Sequence, residues 1–183
     1  ENDCAYFIDY VKDSNLVTLS PRFFTAFTSA LLNTSATLFE PNDGVLNQLR
    51  NSGELRYFKN KDLQVAIGNL SVKIIHLRTR NDREYSYVEM FNRPLLLKHF
   101  DFRWYEEFIQ NGKLTLSEAL KQNPPVTNPA KLVNPATFNR LEAENVASYY
   151  RLMLRASRQL QYKEYVEANQ KVLELLTKEY KMK

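Results

Sequence analysis

Arg78, Arg80 and Arg83, with Arg93 and Arg103 beyond them, form the densest positive concentration in the chain. Guanidinium groups in that number suit a carboxylate or phosphate. On a helix residues 80 and 83 are neighbours one turn apart, but 78 and 83 stand five positions apart, so only some of the three share a face. Asp82, Glu84 and Glu89 lie close enough in sequence to take them as ordinary surface pairs. A small-anion site at Arg78, Arg80 and Arg83 is therefore carried forward as the one binding expectation, with surface pairing as the weightier reading.

Other chemistry fails on residue type or spacing. His76 and His99 are the only histidines and fall 23 residues apart, which excludes a paired-histidine zinc motif. Glycines occur only at 44, 53, 68 and 112, so no phosphate-cradling GxGxxG or GxxxxGKS loop and no GxSxG elbow can be built. Glu106 with Glu107, or Asp101 with Glu106, would need a cleft that separates their pKa values before doing acid–base work; solvated helix faces explain them better. Tyr149, Tyr150, Tyr162 and Tyr165 alternate with Arg151, Arg155 and Arg158 as single-strand nucleic-acid binders do, and also as the core and rim of a long helix do. The single cysteine, Cys4, forms neither an intrachain disulfide nor a thiolate metal site. The sequence thus predicts no catalytic constellation, no cofactor and no metal. Two glycosylation sequons, NTS at 33–35 and NLS at 69–71, are read as chance.

The elements that must position these residues are helices. Ser20 before Pro21 is an N-cap followed by proline at the first helical position, and RFFTAFTSALL carries the apolar pattern on to Leu32. AYFIDYV reads as the last stretch of a helix. EPNDG at 40–44 is a turn, and Val45, Leu46 and Leu49 set a short helix that Gly53 closes in the left-handed conformation. NSGELRYFKNKDL is then punctuation: Leu55, Tyr57 and Phe58 anchor a connector, Asn60 caps the next helix and Asp62 suits its first turn. From Lys61, apolar residues at 63, 67, 70, 74, 77, 85 and 88 keep a three-and-four rhythm with one gap at Asn81, giving a helix over 61–92, roughly 48 Å long, that Pro94 ends. A short helix over 101–110 closed by Asn111-Gly112 follows, then a Thr115/Glu118 capping box on a brief helix. The proline-rich stretch 123–136 is an extended loop. The last helix runs over 136–181, with a kink, on Phe138, Leu141, Tyr149, Leu152, Ala156 and Leu160, then Tyr165, Ala168, Val172, Leu175 and Leu176.

Composition agrees. A chain of 183 residues with 44% hydrophobic content and eleven each of Tyr and Phe buries a core without staples, and four glycines favour helix. A net charge of +4, with both signs interleaved, argues only weakly for nucleic acid. No apolar run reaches the roughly 18–20 residues that span a bilayer. The expectation is an all-α, irregular helical bundle in a single domain, with two long helices and several shorter ones.

Pro41, Asn42, Asp43, Leu49, Ser52, Gly53, Glu54, Leu55, Lys59, Asn60, Lys61, Asp62 and Leu63, with the downstream LLLKHFDF, carry a resemblance. Residues 36–102 resemble a widespread family of uncharacterised bacterial proteins anchored by one N-terminal transmembrane helix, with a helical domain outside the cytoplasm. The resemblance implies a periplasmic address, an inner-membrane anchor upstream of Glu1, and AYFIDYVKD as the tail of the helix after that anchor. The bundle then has an open groove for the preceding segment or another chain. It carries over no functional residue, and its motif positions Pro41, Asn42, Asp43, Ser52, Gly53, Leu55, Asn60 and Leu63 are structural. Function is expected to be non-enzymatic, through protein partners or self-association. The alternatives are a sensor holding a small anion between helices and, more weakly, a nucleic-acid binder.

Overall fold

Ser20 caps its helix as expected, accepting from the Phe23 amide at 3.2 Å. The structure, a computed structural model, describes residues 2–13, 15–16, 19–32, 39–119, 122 and 131–180. The sequon at 33–35 and most of the proline-rich stretch lie outside them. The chain is all-α, with no strand among the described residues. Its helices are α1 (Asn2–Asp13), α2 (Pro21–Leu32), α3 (Gly44–Asn51), α4 (Lys61–Tyr87), α5 (Arg93–His99), α6 (Phe102–Gly112), α7 (Leu116–Ala119), α8 (Arg140–Ala156) and α9 (Lys163–Tyr180). Short 3-10 turns at Glu54–Tyr57 and Pro135–Thr137 precede α4 and α8. The long helix expected over 136–181 begins at Arg140 instead, where the Asn139 side chain accepts from the Glu142 amide at 3.2 Å.

Pro94 does not end the first long helix. A π-helical turn, Val88–Asn92, widens the coil ahead of it, the Arg93 amide bonds back to the Val88 carbonyl, and the helix continues as α5 to His99. The wider turn makes room for the pyrrolidine ring that would strike a regular helix, and the lost N–H falls at a point already out of register. A second π turn, Ser157–Tyr162, separates α8 from α9.

Packing divides the chain into two compact units. One holds α1, α2, the end of α4 from Glu84, α5, α6, α7 and α8 to Leu154. Its core is aromatic: Phe7, Phe23 and Phe27 are fully buried, with Phe7 stacked on Phe27 at 5.2 Å, and Phe24, Phe100 and Trp104 extend the cluster. Tyr6 and Ser20 share a hydrogen bond of 2.8 Å, Lys12 pairs with Glu144 at 2.9 Å, and Arg140 donates to the Val11 carbonyl at 2.6 Å. His99, buried, has Nδ1 3.1 Å from the Val133 carbonyl, whose residue's amide returns a bond to the His99 carbonyl at 3.0 Å.

The other unit holds α3, the 3-10 turn, α4 to Arg83, and α9. Leu63, Ala66, Ile67, Leu70 and Ile74 of α4 pack with Val172 of α9, and Leu46, Leu55 and Phe58 cover them. The seam read from α4 holds through Leu77, but Tyr85 is half exposed and Glu84 is the buried residue at that level. In the strict three-and-four series, 77 is followed by 81, 84 and 88, so the inward positions at Asn81 and Glu84 are polar and hide the continuation.

The C-terminal cap of α6 carries strain. Lys113 takes φ 49°, while Gly112, the residue expected to stop this helix, stays inside it; a Cβ on Gly112 would fall 2.9 Å from Leu114 Cγ. The Leu114 amide reaches the Ile109 carbonyl at 3.0 Å, closing the helix around a left-handed lysine. Lys113→Gly is expected to stabilise the protein by about 0.5–1 kcal/mol in chemical denaturation, because glycine adopts that conformation without a Cβ clash. A loss of stability would mean the lysine side chain contributes more than its backbone costs.

Candidate functional site

Arg78 has an anion built into the fold. Its Nη1 and Nη2 donate to the two Asp43 carboxylate oxygens at 2.8 and 3.0 Å, and its Nε donates to Glu40 at 2.6 Å. The turn 40–43 is thereby tied to the middle of α4, assisted by Asn81, whose amide donates to the Phe39 carbonyl at 3.0 Å. Arg80 Nε donates to Ser157 Oγ at 2.7 Å, and Arg83 is exposed. The three arginines proposed as one anion site thus do three different things. Sequence distance concealed this, because Asp43 lies 35 positions from Arg78.

The Arg78 guanidinium holds the Asp43 carboxyl below its ordinary range, despite partial desolvation. A depressed folded value means the contribution is complete above the unfolded carboxylate pKa of about 3.9 and is lost as pH falls through the lower folded value. Asp43→Asn should therefore melt below wild type near pH 6, with the difference shrinking below about pH 4 and in high salt. A gap independent of pH would assign the effect to packing.

The resemblance-derived positions make local turn, cap and core contacts. Pro41 is buried, the Gly44 amide donates to Asn42 Oδ1 at 3.5 Å, and Ser52 Oγ donates to the Leu49 carbonyl at 3.3 Å. Gly53 sits at φ 72°, and Leu55 packs on the core beside the fully buried Leu63. Asn60 Oδ1 accepts from the amides of Asp62 and Leu63 at 3.0 and 3.2 Å, while its Nδ2 donates to Glu179 at 3.1 Å. Tyr57, expected to anchor the connector, is 70% exposed, with the Arg56 guanidinium above its ring.

Two surfaces were not legible in the sequence. The first lies on α8. Ala143, Val146, Ala147, Tyr150 and Met153 face the interior, whereas Leu141, Tyr149 and Leu152, read as seam residues, are 65, 54 and 62% exposed. Leu160, in the following π turn, is likewise exposed. Residues 141, 145, 148 and 152 recur at spacings of four, three and four, so Asn145 and Ser148 complete an outer stripe without a charge. Tyr87 lies 5.0 Å from Tyr149 and 4.9 Å from Phe91, extending the surface onto the other long helix. The Tyr87 hydroxyl donates to the Val146 carbonyl at 3.1 Å, and burial, assisted by Tyr149, pushes its pKa up to about 12. Of the tyrosines considered for base stacking, Tyr150 is buried and Tyr165 partly so; Tyr162 packs edge-on to Phe39 at 5.4 Å.

The second surface is a groove of about 710 Å³ between the first half of α4 and α9. Its walls are Val65, Ala66, Ala168 and Leu175, and the Lys73–Glu164 pair at 2.8 Å crosses it. It is open and its rim carries both signs of charge. Among the described residues no three His, Cys, Asp or Glu side chains are placed to hold a metal, and no helix is long and apolar enough to cross a membrane.

No protein-family model, curated protein or solved structure matches the chain. The functional reading therefore rests on the surfaces and on the resemblance described above.

Proposed function

We propose that this chain is a non-enzymatic helical module that works through protein contacts, as the extracytoplasmic part of a membrane-anchored bacterial protein. One observation supports the contact role. Leu141 and Leu152, with the uncharged Asn145 and Ser148 between them, form an outer stripe of α8, and Tyr149 is exposed beside it. Surfaces of that composition are where proteins bind one another. The address rests on the sequence resemblance alone.

A photo-crosslinking residue at Leu152 of the full-length protein in cells is expected to give a discrete protein adduct, either a second copy or another chain. The same residue at Lys98, exposed on α5, serves as the control. Leu141→Glu with Leu152→Glu should abolish the adduct formed from Tyr149 while changing stability by no more than about 0.5 kcal/mol per site. Equal labelling at both positions, or none at Leu152, overturns the contact reading. An apolar segment of about twenty residues upstream of Glu1 in the full reading frame would support the address, and its absence would remove it.

The anion sensor is the weaker reading because the Arg78 donors are already engaged by Glu40 and Asp43. Small carboxylates and phosphates should leave the melting temperature unchanged. A stabilisation of about 2.7 kcal/mol at a hundredfold excess over the dissociation constant would restore it.

A further inference from the structure

Asn92 is fully buried at the end of the Val88–Asn92 π turn, and neither Oδ1 nor Nδ2 of its carboxamide has a hydrogen-bond partner among the described residues. Such a group carries two donors and two acceptor positions, and folded proteins satisfy buried groups of this kind with protein or with ordered water. Two further features converge here. The turn is opened by the Arg93-to-Val88 bond, which widens the coil by one residue. Pro94, two residues on, has no N–H, so the carbonyls of Glu89 and Met90 one turn back receive nothing from position 94.

Apolar burial around this point is dense: Val88, Leu95 and Leu96 are all buried in the same core. A side chain with no polar function is expected at so enclosed a position. The amide is accounted for if its partner is not part of the chain. The chemistry selects the ligand: small, neutral, and able to donate and accept at once.

We propose that the buried end of the π turn at Val88–Asn92 is an internal water-binding site, in which the Asn92 carboxamide holds a long-lived water. Interior waters of this type make about three hydrogen bonds and exchange slowly with bulk.

The test uses the intact chain and water itself as the probe. In nuclear Overhauser and rotating-frame spectra, the Asn92 side-chain amide protons should show cross-peaks to water with the sign of a rigidly bound molecule, and oxygen-17 relaxation dispersion should count at least one long-lived interior water. Asn92→Leu should remove the cross-peaks and reduce the dispersion amplitude by one water. The wild-type measurement stands alone if the variant fails to fold. Asn92 amide protons without any bound-water cross-peak, or a dispersion amplitude unchanged in a folded Asn92→Leu protein, would overturn the proposal.

Discussion

Phe27→Ala is expected to cost about 3–5 kcal/mol in equilibrium denaturation, the range for truncating an enclosed aromatic ring. The ring is 0% exposed and lies 5.2 Å from Phe7, 5.6 Å from Phe23 and 6.0 Å from Phe100. These neighbours belong to α1, α2 and the segment after α5, so relaxation into the cavity would have to move several elements at once. Interiors packed to crystalline density do not close such a gap cheaply. The fall should be evident in urea titration with an unchanged slope, since the surface exposed on unfolding is the same. Tyr57→Ala, which removes an equally large ring from a site 70% exposed, should be close to neutral. A Phe27→Ala cost below about 1 kcal/mol would mean that this aromatic cluster is not packed as described.

The second large effect belongs to the other core. Leu63→Ala should cost about 2–5 kcal/mol. Leu63 is 0% exposed, sits in the first turn of α4, and packs with Ala66, Ile67 and Val172. Its backbone amide is held by the Asn60 cap at 3.2 Å, so truncation removes core and loosens the helix start together. Asn60→Ala alone should cost about 0.5–2 kcal/mol, and the pair should not add, because both act on the same turn. Native-state hydrogen exchange is the informative measurement. Protection should fall first in α4 amides near residue 63 and in α9 near Val172, and uniform loss over the whole chain would argue against a local origin.

Much of the architecture could be read from sequence because its signals are short-ranged. Ser20, Gly53, Asn60 and the Thr115/Glu118 box act within three residues of themselves, and each does so in the structure. Asp101 likewise caps α6, accepting from the Trp104 amide. What could not be read depends on neighbours distant in sequence. On α8 the larger apolar residues face solvent and two alanines face inward, so hydrophobic size pointed to the wrong side; small residues suit an inner face where helices approach closely. Arg78 is ion-paired, as the weightier reading has it, but with Glu40 and Asp43 and not with the nearby Asp82, Glu84 or Glu89, because nothing local reveals that residues 35 and 38 positions away reach it. The apolar outer surface is hidden in the sequence for the same reason: Leu141, Tyr149 and Leu152 have the residue types and spacing of an interior seam.

The π turn hid from pattern reading in a different way. Its inward residues, Glu84, Val88, Asn92 and Leu96, are separated by four, four and four, where an ordinary seam alternates threes and fours. Two of them are polar, so no apolar rhythm marked the change. Pro94, a helix stop by residue type, sits instead at the start of α5.

That wider coil has a bearing on how the gene can vary in length. In a regular helix one residue gained or lost turns everything after it by about 100°, but this coil already takes up one surplus residue locally, which keeps the buried positions 84, 88, 92 and 96 on one side. Removing a single codon between Val88 and Asn92 should therefore tighten the turn to an ordinary helix with Leu95, Leu96 and His99 still facing the interior, the remaining cost being the Pro94 ring against the regular turn. The same deletion in the regular part of α4, between Leu70 and Ile74, should be as damaging as losing a core ring.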